Sequence, residues 1–192
     1  FGKVLLMPNF KFKKNLGQHF LTNQKIIEKI CSIRDLNNQI ILEIGPGMGF
    51  LTKKILDYNP KKLFVIEKDI TLEPYLEKIK QKNPKTLEVI YGDALEIDLT
   101  NISKEKMVLI ANLPYNIAST LVINLLKNLE IFKSIIVMVQ KEVAERFVAK
   151  VRSKEYGRIS VLIQVYCYVK KIFDISADNF IPKPKINSSI IE

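Results

Sequence analysis

The chain is poor in the residues that build metal centres and disulfide scaffolds, with one histidine and two cysteines among 192 residues. Cys31 falls in a helical pattern and Cys167 in a strand-like run. Neither has zinc-ligand spacing or the density of a disulfide framework, so both read as core thiols and no metal is expected. No uninterrupted apolar stretch approaches the roughly 20 residues that span a bilayer. The opening Phe1-Gly2-Lys3-Val4-Leu5-Leu6-Met7-Pro8 is too short for a signal peptide, so a cytoplasmic protein without a membrane partner is expected. Repeats, low-complexity tracts and Pro/Gly/Ser linkers are missing too. One domain over residues 1–192 follows, with a basic N-terminal arm over 1–22, and the expected state is a monomer. Acidic residues are scarce beside basic ones, 20 against 30, for a net charge of +10. That imbalance argues for an anionic partner, nucleic acid first, because clustered Lys and Arg attract phosphates by counterion release. Yet 26 of the 30 are lysines spread along the chain, a pattern that solubility alone also produces. With 47% hydrophobic and 26% charged residues the chain can bury a substantial core, which excludes disorder.

Only 7 glycines are present, and three of them fall at Gly45, Gly47 and Gly49 in Glu43-Ile44-Gly45-Pro46-Gly47-Met48-Gly49-Phe50. The apolar run Ile40-Ile41-Leu42 precedes this stretch and a helical pattern follows, so it reads as strand, glycine turn and helix start. There the backbone can turn sharply and approach a ligand without Cβ clashes. A dinucleotide fingerprint requires a third glycine where Phe50 stands, which disfavours NAD and FAD. The spacing Glu-x-Gly-x-Gly-x-Gly is instead similar to the first motif of S-adenosylmethionine-dependent methyltransferases, and the acidic Glu43 suits the cationic end of that cofactor. By itself the cluster could also be no more than a tight turn.

Gln24 to Ile33 carries isoleucines at helical spacing, with Thr22 or Asn23 available as N-cap. Five short apolar runs read as buried parallel strands: Ile40 to Glu43, Leu63 to Ile66, Leu87 to Tyr91, Met107 to Ala111 and Ile135 to Val139. Helices are expected at Leu51 to Tyr58, Pro74 to Gln81, Ala118 to Leu129 and Lys141 to Val151. Ile159 to Val169 and Lys170 to Ser176 look like successive strands, and Ile186 to Glu192 begins another that stops with the chain. The expected fold is α/β, a doubly wound, mostly parallel seven-stranded sheet of the Rossmann-like kind.

In an open parallel sheet the ligand lies outside the carboxyl ends of the strands, so those ends are read together. The second strand ends in Glu67-Lys68-Asp69, the third in Gly92-Asp93-Ala94, the fourth in Asn112-Leu113-Pro114-Tyr115. Glu67 can accept hydrogen bonds from both ribose hydroxyls, or pair with Lys68 at the surface. Asp93 can accept from an adenine amine, or cap the following turn. Asn112-Leu113-Pro114-Tyr115 speaks most directly to chemistry. An adenine exocyclic amine is a poor nucleophile because its lone pair is delocalised into the ring. A methylating enzyme therefore supplies acceptors that draw the amino hydrogens out of plane. The Asn112 amide oxygen offers one, and the carbonyl of Leu113, kept extended before Pro114, offers another. Tyr115 adds a face for base stacking. The proton leaves after nitrogen has attacked the methyl, so no strong base is required and catalysis rests on positioning and electrostatics.

These motifs, together with Asn15-Leu16-Gly17-Gln18-His19-Phe20-Leu21 and Phe180-Ile181-Pro182-Lys183-Pro184-Lys185-Ile186-Asn187-Ser188-Ser189, closely resemble the ribosomal RNA adenine dimethyltransferase family over nearly the whole chain. The resemblance implies transfer of two methyl groups from S-adenosyl-L-methionine to the amino group of each of two adjacent adenosines in a small-subunit rRNA hairpin, during ribosome biogenesis. It further implies that Gln18, His19 and Leu21 border the methionine end of the cofactor, Gly45 its backbone pocket, Glu67 its ribose and Asp93 its adenine. Gly47, Lys68 and Ala94 lie within the same motifs and are taken as cofactor contacts too. Asn112 reaches cofactor and base, and Phe180 packs on the other face of a base held by Leu113, Pro114 and Tyr115. Family members often carry Asn where His19 stands, so that histidine is a binding residue without a proton-transfer role. The arm residues Lys11, Lys13 and Lys14, with Lys141 and Arg146 of the family-like segment Gln140 to Phe147, are candidates for RNA phosphates; a solvated helix face is the competing reading of the last two. Family members usually continue into a smaller helical domain, before which this chain is expected to stop. The expected substrate is small-subunit rRNA or a partly assembled small subunit. Alternatives are large-subunit rRNA adenine methylation of the antibiotic-resistance type, DNA adenine or protein glutamine methylation, and a non-catalytic ribosome-assembly or transcription factor.

Overall fold

The computed structural model describes Phe10, Phe12, Lys13 and residues 16–192. In chain order, β1 (Phe20–Leu21) precedes α1 (Gln24–Cys31), β2 (Ile40–Ile44), α2 (Phe50–Asp57), β3 (Lys62–Glu67), α3 (Glu73–Lys82) and β4 (Leu87–Tyr91). Then come β5 (Met107–Asn112), α4 (Ala118–Leu125), β6 (Phe132–Gln140), α5 (Lys141–Phe147), α6 (Arg158–Tyr166), β7 (Lys171–Ile175), β8 (Phe180–Ile181) and β9 (Ser188–Ile191). Seven strands form one sheet in the order β4-β3-β2-β5-β6-β9-β7. The first five are mutually parallel, while β9 runs antiparallel to both neighbours. β1 and β8 pair separately as a short antiparallel ribbon.

Burial on both faces explains why the inner strands read as continuous apolar runs. Along β2, Ile40, Leu42 and Ile44 enter one hydrophobic cluster with Leu109, Leu121 and Phe147. Ile41 enters the opposite cluster with Ile27, Leu63 and Ile110. α1 is capped by Asn23, whose side chain accepts from the amides of Lys25 and Ile26, and it ends at Cys31, two residues short of the expected Ile33.

Three expectations need correction. Ile159 to Val169 is a helix over most of its length, although its β-branched residues favour a strand. Ser160 Oγ accepts from the Gly157 amide at 3.1 Å and donates to the Arg146 carbonyl, while Gln164 Nε2 donates to the carbonyls of Phe147 and Ala149. Packing of one helical face against the end of α5 outweighs local propensity. Cys167 accordingly follows a helix instead of lying in a strand, and it is only half-buried. The predicted Ala118 to Leu129 helix stops at Leu125 and tightens into a 3-10 stretch, Leu126–Ile131, interrupted at Asn128 with φ −136°. Similarly, α5 ends at Phe147, not Val151.

β2 delivers the chain into the glycine turn, and a buried side-chain bond closes that turn. Thr52 Oγ1 of α2 donates to Glu43 Oε2 at 2.7 Å. Gly45, Gly47 and Gly49 have φ of +72°, +59° and +77°, values that glycine adopts without Cβ strain. Glu43 is 1% exposed, and burial pushes its carboxyl up to about 8, against the opposing bond from Thr52.

Truncating the central strand tests the core: Leu109→Ala is expected to cost about 2–5 kcal/mol, read as a lower urea midpoint at unchanged slope. Glu43 gives a pH signature. The folded protein keeps a proton that the unfolded chain releases near 4.5, so stability falls as pH rises from about 4.5 through about 8. Glu43→Gln can still accept from Thr52 and is expected to flatten that decline. Urea titrations at several pH values check this, and an equally steep decline in the variant removes Glu43 as its source.

Candidate active site

β2 is where the strand order reverses: β3 and β4 extend the sheet on one side, β5 and β6 on the other. Ligands in such sheets bind beyond the carboxyl ends at this switch point. A crevice with a cavity volume of about 150 Å³, partly open to solvent, lies there. Gly45 and Gly47 line it from the turn after β2, Glu67 and Lys68 from the end of β3, and Asp93 and Ala94 from the loop after β4. Asn112, Leu113, Pro114 and Tyr115 line it from the end of β5, and Gln18 and His19 from the N-terminal segment.

Glu67 is the buried carboxylate at its centre. Its Oε2 accepts from the Gly47 amide at 3.0 Å and its Oε1 from the Asp69 amide at 2.8 Å. Burial raises its pKa, and the two backbone donors oppose the rise. Each oxygen keeps a further lone pair for a ligand hydroxyl. Lys68 does not pair with Glu67, the surface alternative read from sequence. It reaches Asp93 instead, Nζ to Oδ2 at 2.5 Å, and this bond holds the Asp93 carboxyl below its ordinary value. Asp93 Oδ1 also accepts from the Leu95 amide, so the turn-capping and ligand-accepting readings of Asp93 are compatible.

Asn112 Nδ2 donates to the His19 carbonyl at 2.9 Å, which fixes the amide and turns Oδ1 to the other side. The following loop is pinned twice: the Leu113 amide donates to the Met138 carbonyl, and the Tyr115 hydroxyl meets Ser188 Oγ at 2.6 Å. Burial raises the Tyr115 pKa, so the phenol is neutral at physiological pH. The His19 ring stacks on Tyr115 with centroids 5.4 Å apart and an interplanar angle of 25°, and its Nδ1 lies 2.7 Å from the Pro182 carbonyl oxygen.

Several sequence-derived roles change in this arrangement. Phe180 is 2% exposed and packs in the core with Ile27 and Leu21, so it does not face Tyr115 across the crevice; the ring stacked on Tyr115 is His19. Pairing of β8 with β1 turns Phe180 inward. Leu21 and Glu43 border a smaller space behind the glycine turn instead of the main crevice, and the Glu43 carboxyl is bonded to Thr52 Oγ1 there. Gln18 lines the crevice, but its amide is bonded to Asp69 and to the Lys13 backbone. Of the basic candidates, Lys13 pairs with Asp69 at 2.5 Å, Lys141 with Asp174 at 3.1 Å and Arg146 with Glu142 at 2.5 Å. All three are engaged within the chain; Lys141 and Arg146 keep 43% and 54% of their side-chain surface exposed. Lys11 and Lys14 lie outside the described residues. Gly17 and Asn116 line the crevice without having been read as site residues, and Asp69 was read only as the last residue of the second strand end. Gly17 carried a local signal as a glycine within a motif; its φ of +62° places the backbone where a Cβ would come 2.9 Å from Asn116 Oδ1.

Among the described residues no group of three or more His, Cys, Asp or Glu is placed to hold a metal, and no helix is long and apolar enough to cross a membrane.

A sequence profile of the ribosomal RNA adenine dimethylase family matches residues 9–192. A ribosomal RNA small subunit methyltransferase A of Wolbachia pipientis subsp. Culex pipiens (strain wPip) is 43% identical over 193 residues, covering 98% of this chain and 70% of that protein. A crystal structure of a dimethyladenosine transferase from Plasmodium falciparum overlaps with a TM-score of 0.80 at 34% identity, over 90% of this chain and 62% of that one. The 23S rRNA methyltransferase ErmE gives 0.75 at 26% identity, over 90% and 68%. The chain thus spans roughly two thirds of the length of these relatives. The doubly wound, mostly parallel seven-stranded sheet is the Rossmann-like methyltransferase fold. A match that runs through nearly every residue, at this identity and this structural overlap, makes the chain a member of the ribosomal RNA adenine dimethylase family.

Proposed function

We propose that this chain binds S-adenosyl-L-methionine in the crevice and methylates the exocyclic amine of adenosines in small-subunit rRNA, giving N6,N6-dimethyladenosine at two adjacent sites. The observation that carries the reading is the clamped amide of Asn112, whose Nδ2 is held by the His19 carbonyl so that Oδ1 is left as an acceptor at the carboxyl end of β5. The residues fit the cofactor. Glu67 offers two carboxylate oxygens to a ribose diol, the left-handed Gly45 and Gly47 bring bare backbone to the crevice wall, and Asp93 offers an acceptor to an aminopurine. When bound, the cofactor supplies an electrophilic methyl group on a sulfonium.

The chain's own groups do the rest. Asn112 Oδ1 accepts one amino hydrogen of the adenine and draws the nitrogen lone pair out of conjugation, Pro114 keeps the loop extended, and Tyr115 supplies an aromatic wall. Solvent takes the released proton once nitrogen carries the methyl, so no side chain serves as a strong base. Residues 1–192 act as one catalytic domain, a cytoplasmic monomer working on small-subunit rRNA that is free or partly assembled, with the N-terminal arm beside the RNA. Greater identity to the small-subunit enzyme and to the dimethyladenosine transferase than to the 23S enzyme favours the small-subunit substrate.

Incubation with methyl-labelled cofactor and small-subunit RNA is expected to place label on adenosine; label confined to protein, or to large-subunit RNA, defeats the reading. Asn112→Ala is expected to lower kcat by about 10²–10³-fold, the scale of losing one preorganised polar group, with RNA affinity retained. Glu67→Ala removes two charge-assisted acceptors and is expected to weaken cofactor binding at least about ten-fold by calorimetry. Unchanged affinity would remove Glu67 from the cofactor site.

A further inference from the structure

We infer that Asp69, which the mechanism above does not use, is a positioning residue that holds Lys13 and Gln18 and through the adjoining His19 sets the Asn112 amide. The catalytic half of this inference rests on the proposed function; the hold itself does not.

Asp69 follows β3 and is 2% exposed. Its Oδ2 accepts from Gln18 Nε2 at 2.6 Å, and its Oδ1 from Lys13 Nζ at 2.5 Å and from Thr71 Oγ1 at 2.6 Å. Gln18 Oε1 in turn accepts from the Lys13 amide at 2.8 Å. Both ends of the Gln18 amide are therefore spent on holding the N-terminal segment to the β3 side of the crevice. The next residue reaches the other side, where the His19 carbonyl receives Asn112 Nδ2. A continuous path runs from Asp69 through Gln18 and His19 to Asn112, and the last three of these line the crevice. Thr71, on the same turn, adds its amide to Asp69 Oδ1, so the carboxylate is itself rigidly held. Burial opposes ionisation of Asp69, yet the bonds from Lys13, Thr71 and Gln18 outweigh it and keep the carboxyl below its ordinary value. A buried carboxylate is costly without such donors, so the segment and the residue stabilise one another.

The donor and acceptor pattern yields a swap that a merely structural role would not obey. Asp69→Asn places an NH₂ against the Gln18 NH₂ or forces that amide to flip away from the Lys13 backbone. Gln18→Glu sets two carboxylates against each other. The double variant Asp69→Asn with Gln18→Glu restores complementarity, because the carboxylate now at position 18 accepts from the NH₂ now at position 69 and from the Lys13 amide. Hydrogen exchange of the residue 16–20 amides in cofactor-free protein reads the hold without any activity. Each single variant is expected to speed that exchange about ten-fold, with the double variant within about three-fold of the parent, and Asp69→Asn, which leaves the crevice lining unchanged, is expected to lower kcat on RNA about ten-fold. The urea midpoint of each variant separates local loosening from global unfolding. Should a single variant unfold, exchange in the double variant and in Lys13→Met, which removes one donor without adding a charge, decides the matter. Single variants that exchange like the parent, Asp69→Asn turning over like the parent, or a double variant that exchanges as fast as the worse single, would overturn the inference. Absence of methyl transfer by the parent itself would remove the proposed function and leave the exchange result standing.

Discussion

The Glu67 carboxylate is the tie on which the site depends. It lies at the end of β3, and with one oxygen on the Gly47 amide and the other on the Asp69 amide it ties the turn after β2 to the turn after β3, beyond the last ladder bond from the Gly45 amide to the Ile66 carbonyl. The glycine turn takes its left-handed course beside it, and Phe20 packs so close to Gly47 that a Cβ there would come 2.6 Å from the ring. Strand order places these loops next to β5, so one carboxylate organises the β2–β3 side of the crevice while β5 presents Asn112 from the other.

The N-terminal segment completes what the sheet begins. It belongs to none of the seven strands, yet it supplies the carbonyl that orients Asn112 and the ring that lies on Tyr115. Its attachment is polar at Asp69 and apolar at Phe20, which clusters with Met48 and Leu72 and with the partly buried Phe10 and Phe12. The same commitment explains why Lys13 is not a free phosphate contact. Its ammonium neutralises the buried Asp69 carboxylate.

The parts most legible in the sequence were those governed by short-range physics. β2, β3, β5 and β6 stood out because burial on both faces favours apolar runs, the edge strand β4 because of its β-branched and aromatic residues around the exposed Glu88, and the turn after β2 because three glycines in five residues have few other uses. Reading the strand ends as one set grouped Glu67, Asp93 and Asn112, and all three line one crevice because a parallel sheet aligns its carboxyl ends. Reading Ile159 to Val169 as a strand failed because Ser160 and Gln164 bond to residues more than ten positions away, and a local pattern carries no trace of that. Phe180 was legible as a motif residue but not as a buried one, since its orientation follows from pairing with Leu21, far off in sequence.

The sequence by itself determined the class of fold, the edge of the sheet where chemistry belongs and the residue types gathered there, because alternation, glycine spacing and proline restriction act within a few residues. Only the tertiary structure decided which of those groups remain open to a ligand. Glu43 became a buried carboxyl bonded to Thr52, Gln18 a partner of Asp69 and His19 the ring stacked on Tyr115, while Asn112 committed its amide nitrogen to the His19 carbonyl. The physical reason is that a polar side chain's role is set by which partner claims it first, and most of these partners lie dozens of residues away along the chain.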